Sequence, residues 1–173
     1  MAPPAARTRL DVVYLAYFAT HIPTTLLVDV LPLAPADAIP APLLALNGFL
    51  TGALGDPFMV IGQARTDLTW FRSMLACELA LQLPFFFYAV WALWTGCPRR
   101  HLPLLVYGTH VSTTMVPILG TLIRGAIDRT CRERWLLAAM YLPYLLLPLS
   151  MAVVSYRECS RALAAARAKR KAE

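Results

Sequence analysis

Apolar positions dominate four long stretches of the chain, Leu10–Leu33, Leu68–Trp94, Leu102–Ile123 and Trp135–Tyr156, and the segments between and after them carry most of the charge. Each stretch reaches the roughly 20 helical residues that cross a bilayer. No ten-residue alternating pattern supports a closed barrel. Backbone groups in hydrocarbon must bond within their own segment, so the pattern predicts an all-α membrane protein, a bundle of four transmembrane helices. The bundle domain is expected over residues 1–160, followed by a basic tail over residues 161–173. The first stretch is expected to stay in the mature chain, because it is too long for a leader core and contains His21, Pro23 and Asp29.

The connection "TGCPRRH" is short enough to make the second and third spans antiparallel neighbours. The first connection, Ala34 to Asp67, is longer and carries Pro35, Pro40, Pro42 and Pro57 around the apolar run "PLLALNGFLTGAL". It is expected to lie at the membrane interface or to fold back over the helices. Prolines recur inside the spans at Pro23, Pro84, Pro117, Pro143 and Pro148. Each removes a helical hydrogen bond, which predicts kinked helices around an internal ligand cavity.

Composition agrees: 58% of residues are hydrophobic and 15% charged, with a mean hydropathy of +0.56, outside the usual balance of a soluble domain. Short cytoplasmic flanks collect Lys and Arg. Arg7, Arg9, Arg99, Arg100, Arg157, Arg161, Arg167, Lys169, Arg170 and Lys171 fall on one side, and Arg65, Arg72, Arg124, Arg129, Arg132 and Arg134 on the other, the latter partly offset by Asp128 and Glu133. Ten against six places both termini in the cytosol. The net charge of +6 is concentrated in the tail and marks topology, so no nucleic-acid partner is expected. Cys77, Cys97, Cys131 and Cys159 are far apart and without a C-x-x-C pair. Neither a disulfide framework, a metal centre nor a cofactor is expected.

The polar positions inside the spans carry the candidate chemistry. A charge at depth costs roughly 2.5–3.5 kcal/mol on insertion scales, so Asp29 needs a partner or a proton. His21, Thr25 and Asp29 are spaced i, i+4, i+8 and form one stripe that must face protein or a wet cavity. "CELALQLPFFF" puts Glu78 and Gln82 four residues apart on a second stripe, just before Pro84. Two carboxyls meeting in a poorly solvated place tend to share a proton, and such a pair attracts an ammonium group. The alternative is a structural polar pair that holds the first two spans in register. Tyr107, His110, Thr113 and Thr114 of the third span, with Tyr141 and Tyr144 of the fourth, either line a pocket or pack helices together. Asp56 in "GDP" reads as structural, a carboxylate accepting backbone N–H groups to fix a loop. In "KRKAE", Lys169 and Lys171 stand at the dilysine spacing of an endoplasmic-reticulum retrieval signal, a receptor-read address.

Taken together, "HIPTTLLVD", "GDP", "WFRSMLACELALQLPFF", "VSTTMVPILGTL" and "YLPYLLLP" resemble, in order and spacing, the EXPERA family of membrane proteins, across all four spans. The resemblance implies a non-enzymatic receptor of the endoplasmic-reticulum membrane, often a homodimer. Its cavity opens laterally to membrane lipid and takes sterols and cationic amines, with a role in cholesterol homeostasis and a possible cholesterol transporter as partner. By position, it implies Asp29 as the anchor for a ligand amine and Glu78 as its protonated hydrogen-bond partner. Gln82, Tyr107, Thr114, Tyr141, Tyr144 and His21 would line the pocket, and Asp56 would brace the first loop. The same family includes a sterol double-bond isomerase, which requires a positioned acid and base. Its pattern has a carboxylate one helical turn after the first-span histidine, whereas here Thr25 holds that place and Asp29 follows a turn later.

Overall fold

The computed structural model describes residues 7–61, 68–124 and 130–172. Arg65, Asp128 and Arg129, which enter the charge count above, lie outside the described residues. The protein is a bundle of four membrane-spanning helical segments, Arg9–Leu33, Thr69–Trp94, His101–Arg124 and Cys131–Ala172. The first three agree with the apolar stretches to within a residue at every end. The fourth runs 42 residues as one helix, so most of the basic tail continues the last span.

Helix α1 (Arg9–Thr24) starts where the Thr8 hydroxyl accepts the Asp11 N–H and the Asp11 carboxylate accepts the Thr8 N–H, a reciprocal cap. Asp11 has a second task. Arg100 donates through Nε to Asp11 Oδ1 at 3.1 Å and through Nη2 to Oδ2 at 3.0 Å, while its Nη1 donates to the Cys97 carbonyl at 3.1 Å. Both side chains are 4% exposed. Arg100 is therefore not the solvated flanking charge that the sequence pattern implied. It pins the start of α1 to the turn before the third span, and Arg99 alone stays exposed there.

The first and second spans each change pitch midway. After α1 the chain widens into a π-helical turn, Thr25–Asp29, in which the Val30 N–H reaches back five residues to the Thr25 carbonyl at 3.1 Å. After α3 (Thr69–Cys77) it does so again over Glu78–Gln82, where the Leu83 N–H bonds the Glu78 carbonyl, before α4 (Leu83–Trp94). Prolines at 32 and 84 follow these turns closely and have no N–H with which to close an ordinary helical bond. By contrast Pro117 lies within the continuous helix α5 (His101–Arg124), and Pro143 and Pro148 within α6 (Cys131–Ala172). Pro23 likewise sits inside the continuous helix α1, so of the prolines expected to kink the spans Pro84 alone closely follows a widened turn, and the other widened turn precedes Pro32.

The α5–α6 contact is close because of Gly108. A Cβ there would press on the Pro148 carbonyl oxygen and lie 2.7 Å from the Ala152 nitrogen, so a small residue lets the backbones approach. Helix α1 packs on α4 through Phe18, which is fully buried, with ring centroids 5.6 Å from both Phe85 and Phe86 and 5.0 Å from Tyr107. Hydroxyl pairs Tyr14–Ser150 at 3.0 Å and Tyr17–Tyr107 at 3.1 Å tie α1 to α6 and α5.

The first connection folds back over the helices. Its apolar run forms α2 (Ala41–Leu54), which ends at Gly55 with φ 64°, a left-handed cap that glycine adopts without strain. Asn47 Nδ2 donates to the Met59 carbonyl at 2.9 Å, and Phe58 is 3% exposed, its ring stacked 4.8 Å from Phe71.

Candidate functional site

The two π-helical turns carry the two acids. A wide turn rotates the residues that follow it relative to an ordinary helix, and in this bundle both turns border the same hollow. That cavity has a volume of about 230 Å³. Asp29, Glu78, Gln82, Tyr107, Thr114, Tyr141, Tyr144 and His21 all line it, together with Asp56. His110 and Thr113 do not, being exposed, with the Thr113 hydroxyl donating to the Thr109 carbonyl of its own helix.

At the polar end, His21 Nε2 lies 3.6 Å from Glu78 Oε1. One polar atom from each of His21, Asp29 and Glu78 falls within 4.8 Å of the others, so the three present their polar atoms to one point, where an ammonium group could be held. The His21 ring is wedged among aromatic rings, with centroids 5.0 Å from Tyr17, 4.9 Å from Phe86 and 5.2 Å from Tyr144. The acids do not face each other across empty space. Between them sits Thr25, fully buried, its hydroxyl oxygen 2.7 Å from Glu78 Oε1 and 3.2 Å from Asp29 Oδ2. Its i+4 spacing from His21 was the only sequence signal for it.

The loop end is built differently. Asp56 Oδ1 accepts the Phe58 N–H at 2.9 Å and Asp56 Oδ2 accepts the Tyr141 hydroxyl at 2.6 Å, so the carboxylate fixes its own turn and also ties it to α6. Met59, Met74, Met115, Val111 and Ile118 supply apolar wall. Among the described residues no lysine or arginine lines the cavity, and three carboxyl groups and one histidine do.

Comparison with known proteins adds a family. Residues 44–155 match EXPERA, the expanded EBP superfamily. A Xenopus tropicalis protein named sigma intracellular receptor 2 is 37% identical over 147 residues, covering 80% of this chain and 83% of the relative. The Homo sapiens protein of that name is 33% identical over 168 residues, covering 91% and 93%. A Schizosaccharomyces pombe protein, efficient mitochondria targeting-associated protein 19, is 28% identical over 155 residues, covering 87% and 76%.

Proposed function

The chain belongs to the EXPERA family of membrane proteins, and from that premise we propose that it is a receptor of the endoplasmic-reticulum membrane that takes sterols and cationic amphiphilic amines into its cavity and so regulates cholesterol homeostasis or trafficking. The observation that carries this reading is the convergence of Asp29 and Glu78 on one largely apolar hollow with no lysine or arginine among its described lining residues. Intramembrane acids are by default functional, and here an entering ammonium pairs with the ionised member of the Asp29–Glu78 pair. Asp29 anchors the amine, and Glu78 supports Asp29 as a hydrogen-bond partner. Gln82 and Thr114 offer polar contacts, while Tyr107, Tyr141, Tyr144 and His21 present ring faces and edges to the apolar body. Asp56 braces the loop that covers the site.

Binding of a tritiated hydrophobic amine to purified protein tests this directly. Asp29→Asn should lower affinity at least on the order of tenfold, the loss expected from one buried charge-assisted contact; undiminished affinity would discard the anchor role.

On this reading both termini are cytosolic and Lys169 and Lys171 act as a retrieval signal for the endoplasmic reticulum, a reading that the excess of Lys and Arg on one side of the spans favours. Replacing both lysines by serine should move the protein onward along the secretory route. A homodimer and a cholesterol transporter are the proposed protein partners, and pull-downs with and without sterol would read whether occupancy changes the association.

A second reading, sterol double-bond isomerase, draws on the 3.6 Å approach of His21 to Glu78, an acid and a base side by side at an apolar cavity. Expression in cells lacking sterol isomerase should then restore the shifted double bond. Failure despite good expression would remove it.

A further inference from the structure

We propose that Thr25 is a positioning residue that holds Asp29 and Glu78 together around one shared proton. The inference rests on counting hydrogens. Its hydroxyl oxygen lies within hydrogen-bond distance of both acids, 2.7 Å from Glu78 Oε1 and 3.2 Å from Asp29 Oδ2, yet a hydroxyl carries one hydrogen and has lone pairs for the other direction. With both carboxyls ionised, Thr25 can satisfy only one; the other oxygen would face it lone pair to lone pair. With one proton on the pair, the protonated carboxyl donates to Thr25 and Thr25 donates to the carboxylate, so every close oxygen contact holds a hydrogen.

Water cannot easily replace this bridge, because Thr25 has no exposed surface. Its place is also fixed by backbone, since it opens the first π-helical turn and its carbonyl accepts the Val30 N–H at 3.1 Å. Other titratable groups lining the same hollow are His21 and Tyr17 of α1, Asp56 of the covering loop, Tyr107 of α5, and Tyr141 and Tyr144 of α6. Of these, His21 lies 3.6 Å from Glu78 Oε1. One proton on two acids leaves a single negative charge, the complement of one ammonium. The link to amine binding rests on the function proposed above; the bridge itself does not.

Two variants separate the hydroxyl from the shape. Thr25→Val keeps the volume and removes the hydroxyl, whereas Thr25→Ser keeps the hydroxyl. Infrared difference spectra of the purified protein should contain the carbonyl stretch of a protonated carboxyl that disappears in Asp29→Asn or Glu78→Gln. The band should keep its position in Thr25→Ser and shift upward or vanish in Thr25→Val. Affinity for a tritiated hydrophobic amine should fall on the order of tenfold in Thr25→Val and be retained in Thr25→Ser. A wild-type protein without that band, or a Thr25→Val protein that keeps both band and affinity, overturns the bridge. An intact band pattern in a protein that binds no amine sustains the bridge and rejects the amine-receptor reading instead.

Discussion

Tyr141 donates its hydroxyl hydrogen to Asp56 at 2.6 Å, and the two residues stand 85 positions apart in the chain. The bond joins the loop that covers the cavity to the helix that forms its far wall. Tyr141→Phe should cost about 1.5 kcal/mol, the lower end of the range for a hydrogen bond to a charged group. Hydrogen exchange should quicken at residues 55–61 and stay unchanged at the α5–α6 contact. Equal loosening of both regions would mean that the loop is held by something else.

The Asp11–Arg100 pair should be the costliest single element to break. Arg100→Met strands a buried carboxylate, and removal of one member of a buried pair typically costs about 3–5 kcal/mol. Thermal unfolding in detergent should show this, and Asp11→Leu combined with Arg100→Met should recover much of the loss.

Gly108→Ala puts a methyl group against the Pro148 carbonyl and the Ala152 nitrogen. Overpacking of this kind costs about 1–3 kcal/mol. Gly120→Ala in the same helix meets nothing within 4 Å and should leave the unfolding temperature where it was or raise it, since alanine is the better helix former.

Pro84→Ala restores an N–H that can bond four residues back, which favours an ordinary α-helical path through Glu78–Gln82. The protein should remain folded while amine affinity falls, because Glu78 and Gln82 would turn relative to Asp29. Retained affinity would show that the wide turn is unnecessary for placing the acids.

The spans were legible because hydropathy and length are summed over many residues and tolerate local irregularity. The apolar run within the first connection was likewise visible, although its closure over the bundle depends on Asn47, Phe58 and Asp56 finding distant partners. The π-helical turns were not legible: they differ from α-helix by one step in a hydrogen bond, and only the prolines at 32 and 84 mark them. Nor was the Arg100 pairing, since an arginine beside a span reads as a flank until the fold supplies Asp11 from 89 residues away. Thr25 was visible as part of a stripe, but its contact with Glu78 depends on how the first two spans meet.

The length of α6 bears on how its end can be recognised. From Arg157 to Ala172 the helix extends about 24 Å at 1.5 Å per residue, a stiff basic mast continuous with the last span. Lys169 and Lys171, two residues apart on it, are turned from each other by about 200°. On the endoplasmic-reticulum reading proposed above, a receptor gripping both ammonium groups from one side would first have to unwind the final turn, so the stability of that turn would set how readily such a grip could form.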